Sequence, residues 1–108
     1  MLSLPIDWPT AEINDFCEQW LVSELALFGS VLRQDFRADS DIDILIAFTA
    51  EADWSLFDHV KMQQELEVLL KHKVDLVSKR AIERSHNPIR KQDILSTATA
   101  IYRHNAYA

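Results

Sequence analysis

Hydrophobic and polar positions alternate in two rhythms along this chain. After Pro9-Thr10, the apolar residues Ile13, Phe16, Cys17, Trp20 and Leu21 recur mostly at three- and four-residue steps, the spacing of one helix face. Cys17 falls on that face and reads as packing. Glu24 to Phe28 is a short apolar run stopped by Gly29, which predicts a buried strand. Ser30 to Gln34 predicts a short helix, and a polar loop follows through Ser40. Asp41 to Phe48 is rich in branched residues and nearly all apolar after its start, so it is the clearest strand. Ser55 fits a helix N-cap, with Phe57, Val60, Met62, Leu66, Leu69 and Leu70 carrying an apolar face to about Lys71. Lys73 to Val77 predicts a third strand. Asn87-Pro88 starts a last helix whose face is expected to include Ile89, Ile94, Leu95, Ala98, Ile101 and Tyr102. Helices between strands predict an α/β (α+β) domain with helices packed on a small sheet.

Length and composition narrow the class. The 108 residues show no repeat, linker or low-complexity stretch, so residues 1–108 are expected to form a single domain. Hydrophobic residues make up 48% and charged residues 26%, which excludes disorder and coiled coil as descriptions of the whole chain. The longest apolar run, Ile44 to Phe48, is far too short to span a bilayer, and Met1 to Pro9 lacks the pattern of a secretory signal. One cysteine cannot form an internal disulfide, which suits the cytoplasm. Charge is uneven. Residues 1–70 carry 3 basic and 14 acidic side chains, net −11, and residues 71–108 carry 8 and 3, net +5, which together give −6. An acidic chain without a continuous basic stripe is a poor candidate for direct nucleic-acid binding. Lys71, Lys79, Arg84, Arg90 and Lys91 read mainly as solvated surface charges.

Three features carry candidate chemistry. Gly29, the chain's one glycine, follows an apolar strand and precedes Ser30. A glycine there permits positive φ and close approach of a ligand, and a following helix start favours an anion; taken alone, the pair reads first as a plain turn with a capping serine. Asp41 and Asp43 lie on one face of the second strand, because side chains alternate. At ~4 Å and an effective dielectric near 20, two such charges repel by about 4 kcal/mol, a sign that a divalent cation reverses. A solvated strand end is the alternative. Asp75 sits in the middle of the short apolar strand Lys73-Val74-Asp75-Leu76-Val77, an unusual place for an acid. If that strand lies beside Asp41–Phe48, Asp75 can share a metal with Asp43; otherwise it faces water from an edge strand. Oxygen-only acidic ligands suit Mg²⁺ or Mn²⁺.

The joint pattern resembles a known family. Leu27-Phe28-Gly29-Ser30-Val31-Leu32-Arg33, followed by Ser40-Asp41-Ile42-Asp43-Ile44-Leu45-Ile46, is similar to the signature of the polymerase-β-like nucleotidyltransferases: Gly-Ser, ten residues, Asp-x-Asp. The small size resembles the minimal nucleotidyltransferases, the MntA-like antitoxins of HEPN/MNT toxin–antitoxin pairs. This resemblance implies a palm-like small mixed sheet flanked by helices. It implies that Asp41 and Asp43 bind two Mg²⁺ ions, with Mn²⁺ as a substitute, and that Asp75 is the third carboxylate, joining a metal and helping to deprotonate the attacking hydroxyl. Gly29 and Ser30 would hold the triphosphate of ATP, and Arg33 would neutralise phosphate charge, unless it pairs with Asp35 or Asp39 on the surface. The implied activity is transfer of AMP from ATP to a tyrosine hydroxyl of the cognate HEPN ribonuclease toxin. Two rival functions are a non-catalytic antitoxin that works by complex formation and a nucleotidyltransferase acting on a small molecule. His59, His72, His86 and His104 show no paired ligand spacing, so zinc is not expected. The Gly-Ser turn also lacks the lysine and second glycine of a P-loop.

Overall fold

Residues 8–32 and 41–103 are described by a computed structural model. The branched and apolar runs form four strands: β1 (Val22–Phe28), β2 (Ile42–Phe48), β3 (Val74–Ser78) and β4 (Thr99–Arg103). They make one mixed sheet in the order β3-β2-β1-β4. β1 runs antiparallel to β2 and β4, while β2 and β3 run parallel. Parallel neighbours need a long crossover. Here it is α2 (Leu56–Leu70), opened by a reciprocal cap: Asp58 N donates to Ser55 Oγ, and Ser55 N donates to Asp58 Oδ2. The helix ends with Lys71 in the left-handed conformation.

The two faces of the sheet carry different loads. Leu25, Leu27, Ile42, Ile44, Ile46, Val74 and Leu76 face α1 (Thr10–Gln19) and α2, and pack on Ile13, Phe16, Cys17, Trp20, Met62, Leu66 and Leu70. Burial of the Cys17 thiol pushes its pKa up to about 12, so it stays protonated and behaves as a small apolar residue. The other face is smaller. Ala26, Phe28 and Leu45 meet Ile82 of α3 (Lys79–Glu83) and Ile94 of α4 (Pro88–Thr97). Because this cover is partial, polar side chains at the strand starts can remain accessible there.

Several sequence expectations change at the elements' ends. The last helix stops at Thr97, and Ile101 and Tyr102 belong to β4 instead. The unpaired edge of β1 explains this: Thr99 to Arg103 fills it with hydrogen bonds that a longer helix would leave open. Ile89 is 81% exposed and takes no part in the core. On α2, Phe57 is 88% and Val60 46% exposed. At 100° per residue they lie about 140° and 160° around the helix from Met62, so the buried stripe is Met62, Leu66 and Leu70. α3 was not expected, and the predicted helix at Ser30 to Gln34 is a 3-10 turn over Gly29–Leu32 in the described residues.

Candidate active site

The strand register brings two of the expected acids together. Asp43 and Asp75 are direct partners across the parallel β2–β3 pair, so both project from the same face. That face is the partly covered one, since Ile42, Ile44, Val74 and Leu76 point into the larger core. Neighbouring strands lie about 4.8 Å apart, which places both carboxylates within reach of one small cation. Asp75 is held there by hydrogen bonds on both sides of its strand. Ile42 N donates to Lys73 O at 2.8 Å, and on the outer edge Val74 N and Leu76 N donate to Glu67 Oε2 and Gln63 Oε1 of α2. Asp41 is exposed one residue before β2. Alternation puts it on the Asp43 side, but it does not line the cleft that Asp43 and Asp75 share. Among the described residues, no three His, Cys, Asp or Glu side chains already stand as a metal-enclosing group.

Gly29 acts on this site through what it lacks. It ends β1 with φ +75°, a left-handed conformation that costs other residues energy. A Cβ built on it would overlap Asp43 Oδ2 and stand 3.1 Å from Asp43 Cγ. Phe28, the residue before it, is the antiparallel partner of Asp43. The turn therefore closes directly over the carboxylate, and only a glycine leaves that space. Ser30 follows in the backbone of the 3-10 turn. Arg33 lies outside the described residues.

Gly29, Asp43 and Asp75 form one side of a cleft of about 660 Å³, and α4 forms the other with Arg90, Asp93 and Thr97. These α4 residues were not among the expected site residues. The sequence shows only that residues 90, 94 and 97 share a helix face; that this face meets the cleft follows from Ile94 and Phe28 sharing one buried cluster. A larger groove of about 860 Å³ lies at the other ends of β2 and β3, beside Phe48, Ser78 and Lys79. It has no paired carboxylates, so chemistry points to the smaller cleft. The acid pair fits a hard divalent cation: its donors are all oxygen, and the glycine turn leaves the Asp43 carboxylate room.

A mixed four-stranded sheet with flanking helices and an acid pair beside a Gly-Ser turn is the arrangement of a nucleotidyltransferase. The nucleotidyltransferase domain model matches residues 12–100, and the chain belongs to that family. Its relatives include the protein adenylyltransferase MntA of Thermococcus cleftensis, 38% identical over 74 residues, which cover 68% of this chain and 73% of that protein. A solved chain assigned as a minimal nucleotidyltransferase is 33% identical, with TM-score 0.63, covering 82% of this chain and 84% of that one. The fold is also shared with a chain of a toxin–antitoxin structure containing AMP-PNP, at TM-score 0.67 and 21% identity, covering 91% of this chain and 76% of that one.

Proposed function

We propose that this chain is a cytoplasmic antitoxin that transfers AMP from ATP to a tyrosine hydroxyl of a HEPN-type toxin and so silences it. The observation that carries this reading is the pairing of Asp43 with Asp75 on an accessible face, against the turn at Gly29. Relatedness to a protein adenylyltransferase supports the adenylyl group and the protein acceptor. The shared fold with a toxin–antitoxin chain supports the class of partner, and the AMP-PNP in that structure supports a nucleoside triphosphate.

In this reading Asp43 and Asp75, with Asp41 at the strand mouth, hold divalent ions. Mg²⁺ bound there would neutralise the carboxylates and polarise the α-phosphate. The acceptor oxygen attacks the α-phosphorus, a new P–O bond forms, and the bond from that phosphorus to the α–β bridging oxygen breaks. Pyrophosphate leaves, and Asp75 helps take the hydroxyl proton. The resemblance would give Gly29 and Ser30 the triphosphate, with Arg33 as a further neutralising charge. Catalysis then rests on positioning and charge neutralisation rather than on a covalent intermediate.

Incubation of the chain with ATP, Mg²⁺ and the product of the neighbouring gene, followed by intact-mass measurement, tests this. One or more adenylyl additions on the neighbour are expected, and they should vanish in the double variant Asp41→Ala, Asp43→Ala. Neutralisation without any mass gain, retained in that variant, would establish the non-catalytic antitoxin instead. A modified small molecule with an unmodified neighbour would establish the small-molecule transferase. Asp75→Asn should lower transfer by at least about a hundredfold, within the range of acid–base contributions, while partner binding persists. Unchanged turnover would remove Asp75 from the set.

A further inference from the structure

Four of the large apolar side chains exposed among the described residues stand on one helix: Leu56, Phe57, Val60 and Val68 of α2. Phe57 is 88% and Val68 77% exposed. Apolar exposure gathered in this way marks a contact surface, whereas scattered single residues do not. The positions follow a rule. Phe57, Lys61, Gln64 and Val68 are all exposed, and they stand four, three and four residues apart. That is the spacing of a seam along which two helices pair. The seam points away from Met62, Leu66 and Leu70, which fill the core. It also reads the same in both directions: turned end for end, it sets Phe57 over Val68 and Lys61 over Gln64. One flank carries both signs of charge. Lys61 Nζ lies 6.0 Å from the centre of the Trp20 ring, and Glu65 Oε2 accepts from Trp20 Nε1 at 3.0 Å, so both side chains lean to the same side. None of these residues lines the cleft at Asp43 and Asp75, which opens on the other face of the sheet.

We propose that this face of α2 binds a second copy of the chain, helix against helix and antiparallel, in a two-fold dimer that leaves both clefts open. A two-fold contact uses the same patch on both copies, so the patch must complement itself. In the antiparallel register Phe57 of each copy covers Val68 of the other, at both ends of the contact. Lys61 of each copy faces Gln64 of the other and stands beside its Glu65, so the charge near the middle meets an acceptor and an opposite charge. A parallel pair would set Lys61 against Lys61, and polar residues within a seam select orientation in this way. The 15 residues of α2 give only about 22 Å of contact. Small interfaces are weak, so the dimer is of micromolar affinity and forms as concentration rises. This inference goes beyond the adenylyl-transfer reading and does not depend on it.

Sedimentation velocity of the full chain, from about 1 µM to about 1 mM, tests the contact. The average mass should rise from that of one chain toward that of two. Phe57→Glu and Val68→Lys each set a charge against an apolar partner and should weaken association by at least about ten-fold. The double variant sets the new carboxylate against the new ammonium at both ends and should recover part of that loss. Each charge suits its own end of the helix, so circular dichroism spectra should match the wild type. Ile89→Lys changes an apolar residue of α4 that is 81% exposed, and it should associate as the wild type does. A chain that stays monomeric at the highest concentration overturns the proposal and leaves adenylyl transfer standing. If Phe57→Glu in that monomer abolishes complex formation with the product of the neighbouring gene, the face belongs to that partner instead. A dimer that both single variants leave intact also overturns the proposal, because its contact lies elsewhere. Single variants that dissociate with no recovery in the double variant overturn the antiparallel register.

Discussion

Gly29 shows how much a single missing side chain can decide. Its φ of +75° and the closeness of Asp43 are independent demands, and either one alone would favour glycine. Gly29→Ala would meet both. The left-handed backbone costs about 1–2 kcal/mol, and the methyl must also push the Asp43 carboxylate aside. The expected outcome is a lower denaturation midpoint and a loss of adenylyl transfer larger than the loss of folded protein accounts for. Chemical denaturation and mass measurement on the same preparation check it, and a variant with full transfer would show that the turn tolerates a side chain. In the sequence, Gly29 was legible as a candidate because it is the chain's one glycine and follows an apolar strand. Its actual contact was not, since nothing local to residue 29 says that residue 43 lies against it. Arg90 illustrates the reverse case. Read along the chain it is one of several surface charges, and only the packing of Ile94 turns it toward the acids.

At the scale of elements, the exposed edge of the sheet explains the polar face of α2. β3 is an outer strand, and its outward backbone groups need partners. α2 supplies them at four-residue steps. His59 Nε2 bonds Leu76 O at 2.8 Å, Gln63 Oε1 accepts from Leu76 N at 3.3 Å, and Glu67 Oε2 accepts from Val74 N at 3.0 Å. The stripe seals the edge while Met62, Leu66 and Leu70 fill the core beside it. Glu67→Ala leaves Val74 N without its acceptor, and a loss of about 1–2 kcal/mol in unfolding free energy is expected. Glu67→Gln keeps an acceptor oxygen and should lose less than half of that. Urea titration of the three chains decides it, and equal stability of Glu67→Ala and wild type would show that the edge does not depend on this bond. Helix identity here is legible from periodicity, but the buried stripe is not: Phe57 and Val60 are apolar, yet they lie off the face of α2 that packing buries.

For the whole molecule, Glu24 is the polar tie between separated parts of the chain. It lies on β1 and bonds Lys79 Nζ of α3 at 3.1 Å and Arg103 Nε of β4 at 3.0 Å. Burial would raise its pKa, but the hydrogen bonds and charges of Lys79 and then Arg103 outweigh it and hold the carboxyl below the usual glutamate range. A lowered folded value means that the stabilisation is present above the unfolded pKa and is lost as pH falls through the folded one. Glu24→Gln should therefore be less stable than the wild type near neutral pH, and the gap should close as pH drops below about 4. Thermal melts of both chains across that range test the sign. A gap that stays constant would show that the pairing is not what the substitution removes. No described helix is long and apolar enough to cross a membrane.

What the chain determines on its own is what local rules govern. Strand and helix placement follows from apolar spacing, the cap at Ser55 from hydrogen-bonding chemistry, and the family from residues at fixed separation between Gly29 and Asp43. What folding alone decides is which distant residues meet. The pairing of Asp43 with Asp75 depends on the register of two parallel strands joined through a whole helix, and a slip of one residue would turn Asp75 to the other face. The end of the last helix at Thr97 is settled by the vacant edge of β1, a competitor some seventy residues away in sequence. Register and edge pairing are bonds between remote backbone groups, so their energies appear only once the sheet has assembled.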